Sequence, residues 1–374
     1  MIVRGREGLA GAEELWRRVA WAGEQAEYEH FTAALADAEP LALFVLDGGE
    51  PAAAAAGRLR HRRLDTAIGY VRLFAPTVRA LELVAGGVVA RDDEAARALA
   101  GEAWSALRGS AADALLVPAL PVDSPAFRAL VALGGPLERQ RFIPTWTRRT
   151  LVLPETFDAF LASRSRKTRS GIRYDAKKLE DALGDVGVAV HRDASQLDRL
   201  VADLESVARS TYQRALGAGF ADTPEQRELL RVDLEHGWAR VYVLSHAGRA
   251  IAYWLCSTHR RTITTRSTGY RADYARHRPG IYLLMRVIAD ACEDPSLDVL
   301  DFGPGRSDYK RHFSSDGYDE RNIVVYAPHL RPRAINVART AALGAGAGAR
   351  RALDATGLTV RLKTAWRARL RGGT

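Results

Sequence analysis

Hydrophobic and polar positions along the chain switch between helical and strand spacing in two similar runs. Over residues 13–36, Leu15, Val19, Ala22, Ala26, Phe31 and Leu35 recur at helical intervals. Strands follow over 41–46 and 52–59, joined by the turn Asp47-Gly48-Gly49-Glu50, with further strands over 68–75 and 80–89. Asp92-Asp93-Glu94 opens a helix running to Leu107, three acids sitting favourably at the positive end of its dipole. A buried strand over 114–117, a short helix over 124–133 capped by Ser124, and extended chain over 141–153 complete this run.

The second run opens with a long helix over 155–183 and a strand over 187–191. Helices over 196–214 and 225–236 precede a three-stranded meander at 241–244, 251–258 and 262–270. Leu284, Val287, Ile288 and Ala291 then mark a packed helix over 281–292. A short strand over 297–302 ends in Gly303-Pro304-Gly305, and Tyr309-Lys310 opens another helical turn. Asp301, Tyr309 and Lys310 therefore fall near the carboxyl end of a strand, where open α/β sheets place their ligand crevices. The halves also echo each other at an offset of 198 residues. Phe44-Val45-Leu46 matches Tyr242-Val243-Leu244, and His61-Arg62-Arg63 matches His259-Arg260-Arg261, in the same structural order. The pattern predicts an α/β (α+β) protein in which a duplicated unit builds mixed central sheets flanked by helices.

Composition narrows the class. No apolar run nears the roughly 20 residues of a membrane-spanning helix, and the first residues lack a secretory core, so the expected location is cytoplasmic. Cys256 and Cys292 have neither metal-ligand spacing nor a disulfide framework, and no metal is expected. The formal charge of +9 is concentrated at one end: residues 331–374 hold ten bases and one acid, ten minus one being +9, so the rest sums to zero. Such a basic tail favours anionic partners. Within it, 341–348 have the composition of a flexible linker, and 360–370 form a basic amphipathic stretch with Leu362, Trp366 and Leu370 on one side. That stretch suits either an anionic membrane, giving a chain peripheral to the inner membrane face, or its own domain.

The candidate chemistry is acyl transfer. Pro279-Gly280, Leu300-Asp301-Phe302-Gly303 with Gly305, and Tyr309-Lys310, taken in order, resemble the C-terminal half of the Fem-like and CelD-like acyltransferases of the GNAT superfamily. The basic helix at 163–178 resembles the Arg-rich helix that precedes their catalytic domain. The resemblance implies tandem GNAT-like domains: a degenerate one over 1–150, an acyltransferase domain over 151–328 that includes the basic helix 155–183, and a basic tail over 329–374. It implies that Lys310 stabilises the oxyanion or holds the donor, as an ammonium on a flexible stem can.

From the residues themselves, Tyr309 is a hydrogen-bond donor or a packing residue. Asp301 is a proton acceptor or the cap of the turn that follows it. Arg276, His277, Arg278 and Gly280 precede a helix N-terminus, a ready phosphate site. Arg166, Arg169 and Arg173 fall on one side of the basic helix as a phosphate-binding ridge or a solvated face. Tyr212, Tyr253, Arg266 and Tyr270 are candidates for the acceptor pocket. The Arg276-to-Tyr282 segment departs from the Q/R-x-x-G-x-G/A loop of acetyl-CoA-dependent GNAT enzymes. Its Pro-Gly form resembles the Fem-like branch, which implies aminoacyl-tRNA as donor. The expectation is an N-acyltransferase forming an amide on an amine-bearing small molecule or envelope precursor. No cofactor is tightly bound, and aminoacyl-tRNA is the favoured cosubstrate. Acyl-CoA or a carrier protein as donor, and a non-catalytic binding module for nucleic acid or an anionic surface, are the alternatives.

Overall fold

The computed structural model describes residues 1–68, 71–211, 219–305 and 307–355. They form two compact units. One comprises Met1–Val19, Ala38–Thr145 and the chain from Arg321 on; the other comprises Ala20–Asp37 and Trp146–Glu320.

In the first unit, β1 (Ile2–Arg4) leads through helices α1 (Gly5–Gly11) and α2 (Glu13–Arg18) to β2 (Glu39–Asp47) and β3 (Glu50–Arg63). The hairpin β4 (Thr66–Ile68) and β5 (Val71–Phe74) is followed by β6 (Thr77–Ala90). Strands β1, β2, β3 and β6 pair antiparallel, β3 aligning the small side chains Ala52–Ala56 in the sheet core. Helix α4 (Asp93–Arg108) then returns the chain so that β7 (Ala114–Pro121) joins β6 in parallel, Ala80 opposite Ala114. Its first turn is capped by the Asp92 carboxylate, which accepts from the Ala95 N–H at 2.8 Å. Ser124 caps α5 (Pro125–Val131) in the same way.

The second unit repeats this order. It contains α3 (Tyr28–Ala33), β8 (Trp146–Val152), α6 (Phe157–Ala162), α7 (Arg166–Leu183), β9 (Val186–His191), α8 (Leu197–Arg209) and α9 (Pro224–Glu235). The antiparallel meander β10 (Ala239–His246), β11 (Arg249–His259) and β12 (Thr262–Tyr270) is followed by helix α10 (Pro279–Cys292). Strand β13 (Val299–Asp301) then pairs parallel with β12 and antiparallel with β8. After α11 (Asp308–Phe313), residues 316–320 of β14 (Asp316–Tyr326) pair with β8. In both units, then, a meander, a helix and a parallel strand follow in order, a tandem arrangement of mixed sheets flanked by helices. The 198-residue echo falls in β2 against β10 and at the ends of β3 and β11.

Alternation along β10 and β11 gives the second unit two cores. Tyr242, Leu244, Trp254 and Cys256 pack beneath α7 and α10. Val241, Val243, Tyr253 and Leu255 face α8 and α9. Buried ion pairs lock the layers. Arg240 reaches Asp290 at 2.8 Å and Asp294 at 2.6 Å, and the Tyr242 hydroxyl also donates to Asp290. On the other face Asp233, 1% exposed, accepts from Arg266 at 2.7 Å and from the buried His30 ring.

Three expectations are corrected. The helix expected over 155–183 is two helices, because the hydroxyls of Thr156 and Ser165 each cap a new N-terminus, accepting from Ala159 and Thr168. Residues 13–36 are likewise broken into short pieces rather than one helix. The linker composition at 341–348 lies inside α12 (Leu330–Ala355); its alanines favour helix, and Gly344 lies against the Phe142 ring. The amphipathic stretch at 360–370 lies outside the described residues. Among the described residues no helix is long and apolar enough to cross a membrane, and no cluster of metal-ligating side chains occurs.

Removing the Asp233 carboxylate leaves the buried His30 ring without its acceptor and the exposed Arg266 without its anion. The Asp233→Ala variant is expected to lose about 1–3 kcal/mol of stability. A urea midpoint equal to wild type would show that the cluster contributes nothing to the fold.

Candidate active site

Strand β13 follows β12 for only three residue pairs, Thr262 with Val299, Ile263 with Leu300 and Thr264 with Asp301. Strand β12 runs on to Tyr270, so past Thr264 its edge is free of β13 and the two strands part. The register between β11 and β12 slips at the same point: Cys256 faces Thr265 and Leu255 faces Ser267, leaving Arg266 as the extra residue of a bulge. Bulges of this kind re-aim side chains and end pairing, and they are frequent beside active sites.

What turns β13 away is its own terminus. One Asp301 carboxylate oxygen accepts from the Arg148 guanidinium and the other from the Gly303 N–H at 2.7 Å. Gly303, at φ +67°, passes so close to β12 that a Cβ there would lie 2.5 Å from the Thr265 carbonyl oxygen. Lys310 closes the loop from the other side. Its ammonium, on a side chain only 7% exposed, donates to the carbonyls of Gly303 at 3.1 Å and Pro304 at 2.6 Å. Burial pulls its pKa down to about 8, against the opposing pull of Asp301 and with Arg148 adding to the drop. The two carbonyl contacts take two of the three ammonium hydrogens and leave one.

Tyr309 lies on the α10 face, edge-on to Trp254 and Phe302 with ring centroids 5.9 and 6.2 Å away. Burial, and then the Cys256 beside it, raise the pKa of its hydroxyl, which finds no hydrogen-bond partner among the described residues. Tyr309 also lines a cavity of about 390 Å³ with Arg278, Ile281, Asp308, Arg311, His312 and Phe313. This cavity brings one expected donor-binding residue, Arg278, together with one expected catalytic residue.

The α10 start is cationic. Arg276 Nε donates to His277 Nε2 at 2.9 Å, which leaves the His277 ring proton on Nδ1, a buried donor without a partner among the described residues. Burial, then Arg276 and Lys178, depress the pKa of this ring. Arg278 adopts the left-handed conformation at φ 53° and is paired with Asp175 of α7. The Ile281 and Tyr282 N–H groups both turn back onto the Arg278 carbonyl, at 3.0 and 3.2 Å. With Pro279 lacking a donor, the first turn presents the Gly280 N–H alone; the Gly280 carbonyl is taken by the Trp254 indole at 2.9 Å.

Of the basic ridge, Arg169 is spent on the carbonyls of Ala162 and Arg164, at 3.1 and 3.0 Å. Arg166 and Arg173 are exposed and have no partner among the described residues, and Tyr174 between the cations is also exposed. The start of α7 meets α11 through Thr168 and His312, 3.2 Å apart. The expected acceptor residues are split. Tyr253 is 1% exposed on the α8–α9 face, its hydroxyl accepting from the Phe220 N–H at 3.2 Å. Arg266 is held on that same face by Asp233, whereas Tyr270 lies beside Gly280 at the α10 start. Tyr212 lies outside the described residues. The sequence reading missed Arg148 and Trp254; no local spacing links them to the site, since each is brought there from an element distant in sequence.

Residues 166–311 match the family described as "Acetyltransferase (GNAT) domain". No curated protein matches the chain. Among solved structures, the chain is similar to the C-terminal domain of a lysylphosphatidylglycerol synthetase from Agrobacterium fabrum, described as putative in its source. Identity is 14% and TM-score 0.54, over 90% of this chain and 96% of that one. It is similar to FemX at 12% identity and TM-score 0.55, over 84% and 95%. It is also similar to L-PGS from Bacillus licheniformis at 13% identity and TM-score 0.50, over 90% and 96%. At these identities the likeness is one of fold. The parted strands, the buried lysine and the cationic helix start all lie within or at the edge of the matched segment, and the chain carries a GNAT acyltransferase domain.

Proposed function

We propose that this acyltransferase forms an amide on an amine-bearing acceptor and takes its acyl group from an aminoacyl-tRNA, as the Fem-like enzymes do. The observation that carries the donor assignment is the α10 start. A diphosphate cradle needs several backbone N–H groups, and here Pro279 and the turned-back Ile281 and Tyr282 leave one. Fixed cations replace them: Arg276 and Arg278 at the helix start, and Arg166 and Arg173, exposed on α7 with Tyr174. Cations interleaved with an aromatic suit an extended nucleic-acid strand, whose phosphates they neutralise and whose bases stack. The fold likeness to FemX supports the same reading. Acyl-CoA is the second reading, favoured by the acetyltransferase description of the matched domain.

In the reaction, the acceptor nitrogen attacks the carbonyl carbon of the aminoacyl ester. The C–N bond forms, the ester C–O bond breaks, and the amine proton ends on the released ribose hydroxyl. Lys310 presents its remaining N–H to the developing oxyanion. Asp301, with both oxygens occupied, positions the loop rather than accepting the proton. Tyr309 lines the cavity through which the donor end reaches the parted strands. Envelope precursors and small amines both present the amine this step requires.

Incubating the protein with tRNA charged with labelled amino acid, and with labelled acyl-CoA, identifies the donor. Label transfer that is abolished by ribonuclease is expected; thiol release from acyl-CoA without RNA would replace the tRNA assignment. The Lys310→Ala variant is expected to lose about 10²–10³ in turnover with an unchanged circular dichroism spectrum. Full activity in that variant would remove Lys310 from the site.

The pH dependence has a defined sign. The folded-state pKa of Lys310, about 8, lies below its ordinary value of 10.5, so the unfolded chain holds the proton more tightly. Stability should therefore rise from pH 8 towards 10.5 relative to a Lys310→Met variant, compared by urea unfolding. Turnover, which uses the ammonium, should fall over the same window. A rate that increases through pH 8 would make Lys310 a base instead.

A further inference from the structure

Helix α12 buries polar side chains beside Ile335 on its packed face. Asn336 donates to the carbonyls of Leu137 and Arg139, and half-exposed Arg333 reaches buried Glu138 at 2.6 Å. Arg339 donates to the carbonyls of Leu64 and Asp65 and to the Thr66 hydroxyl. The outward positions from Leu330 to Gly348 are Leu, Val, Ala or Gly, apart from Arg331, which Asp113 holds at 3.2 Å. Leu330 is 87% exposed and Val337, two turns on, 50%; Leu137 and Phe142, from the segment packed along the helix, are 51% and 53%. Phe142 is kept there at φ 62°, a costly backbone for a bulky residue, with its ring over Gly344. A surface helix of a protein surrounded by water has the opposite pattern.

Beside this face opens a cavity of about 310 Å³ whose wall includes Arg139, Arg141, Phe142 and Arg321 and no acidic residue. Arg139 is committed to the carbonyls of Ala132, Leu133 and Gly134. Arg321 stacks over the Phe127 ring at 4.9 Å, and Arg141 has no partner among the described residues. Phe142 belongs to both features, so two cationic heads adjoin an exposed apolar strip.

We propose that this side of the first unit docks on an anionic phospholipid bilayer. The outward face of α12 enters the interface, and Arg141 and Arg321 take a lipid phosphate in the cavity. Charge selects this occupant. The sequence beyond α12 is itself basic: residues 356–374 hold five bases and no acid. Folded back on the strip, those bases would face Arg141 and Arg321; a second copy docked face to face would oppose arginine pockets in the same way. An anionic bilayer satisfies the apolar strip, the pocket and the following bases together, the two signals that stable peripheral binding needs. This inference is independent of the acyl-transfer reading, since it concerns binding alone.

The test is flotation of the full chain with vesicles of phosphatidylcholine, with and without phosphatidylglycerol. Binding is expected only where phosphatidylglycerol is present. Replacing Leu330 and Val337 together by Asp should weaken it about tenfold or more. Replacing Arg141 and Arg321 by Ala should weaken it about thirtyfold. Unchanged thermal melts are expected for both variants, whose altered side chains are wholly or partly exposed. No binding to phosphatidylglycerol vesicles, or equal binding by the variants, overturns the proposal. A wild-type dimer in light scattering that Val337→Asp splits would give the face to a second copy. Tight calorimetric binding of glycerol phosphate, with vesicle binding unaffected by the apolar variant, would make the pocket a site for a soluble phosphate and also overturn it.

Discussion

The candidate site of this protein depends on where one short strand stops. Strand β13 is held to β12 for three residue pairs and then pulled aside, because Asp301 is claimed by Arg148 and by the Gly303 N–H. A longer parallel pairing would close the sheet and leave no gap between its central strands. The loop that results must press against the Thr265 carbonyl, which only glycine at positive φ allows. Its two outward carbonyls are then satisfied by Lys310. A charged side chain is thereby buried against the loop that ends β13. That costs desolvation, and the depressed pKa of Lys310 expresses the cost.

The two units share this topology but not its electrostatics. In the first, the helix between the paired parallel strands begins with Asp92-Asp93-Glu94, and the Asp92 side chain already fills the anion position at the helix start. An incoming phosphate would meet three carboxylates. In the second, the corresponding helix begins after Arg276-His277-Arg278 with no side-chain cap. The same backbone thus presents a closed anion site in one copy and an open cationic one in the other. This contrast supports the donor site proposed above for the second unit.

Local patterns carried the order of elements, the meanders and the turn glycines, because each depends on residues close in sequence. The reading failed where a local signal was subtler than the hydrophobic period. Thr156 and Ser165 break one apparent helix into two by single hydroxyl caps. It also failed where partners are remote: Arg148 meets Asp301 from 153 positions away, and His30 meets Asp233 from 203. Asp301 was legible as either a base or a cap, and only coordinates show both of its oxygens in use. Tyr253 and Arg266 were grouped with Tyr270, yet the bulge at Arg266 and the alternation of β11 send the first two to the other face of the sheet.

Helix α12 shows why periodicity alone misleads. Alanine and glycine repeating over 341–348 score as a linker because no large side chain marks a buried face. The packed face holds Ile335 with buried Asn336 and Arg339, and half-exposed Arg333 reaches Glu138. The positions left to solvent, such as Leu330, Ala334, Val337, Ala338 and Ala341, are apolar. Polar residues normally go to water because water satisfies them most cheaply. Here the protein satisfies several of them itself and leaves Leu330, Val337, Leu137 and Phe142 at the surface, the strip that the proposed bilayer would cover.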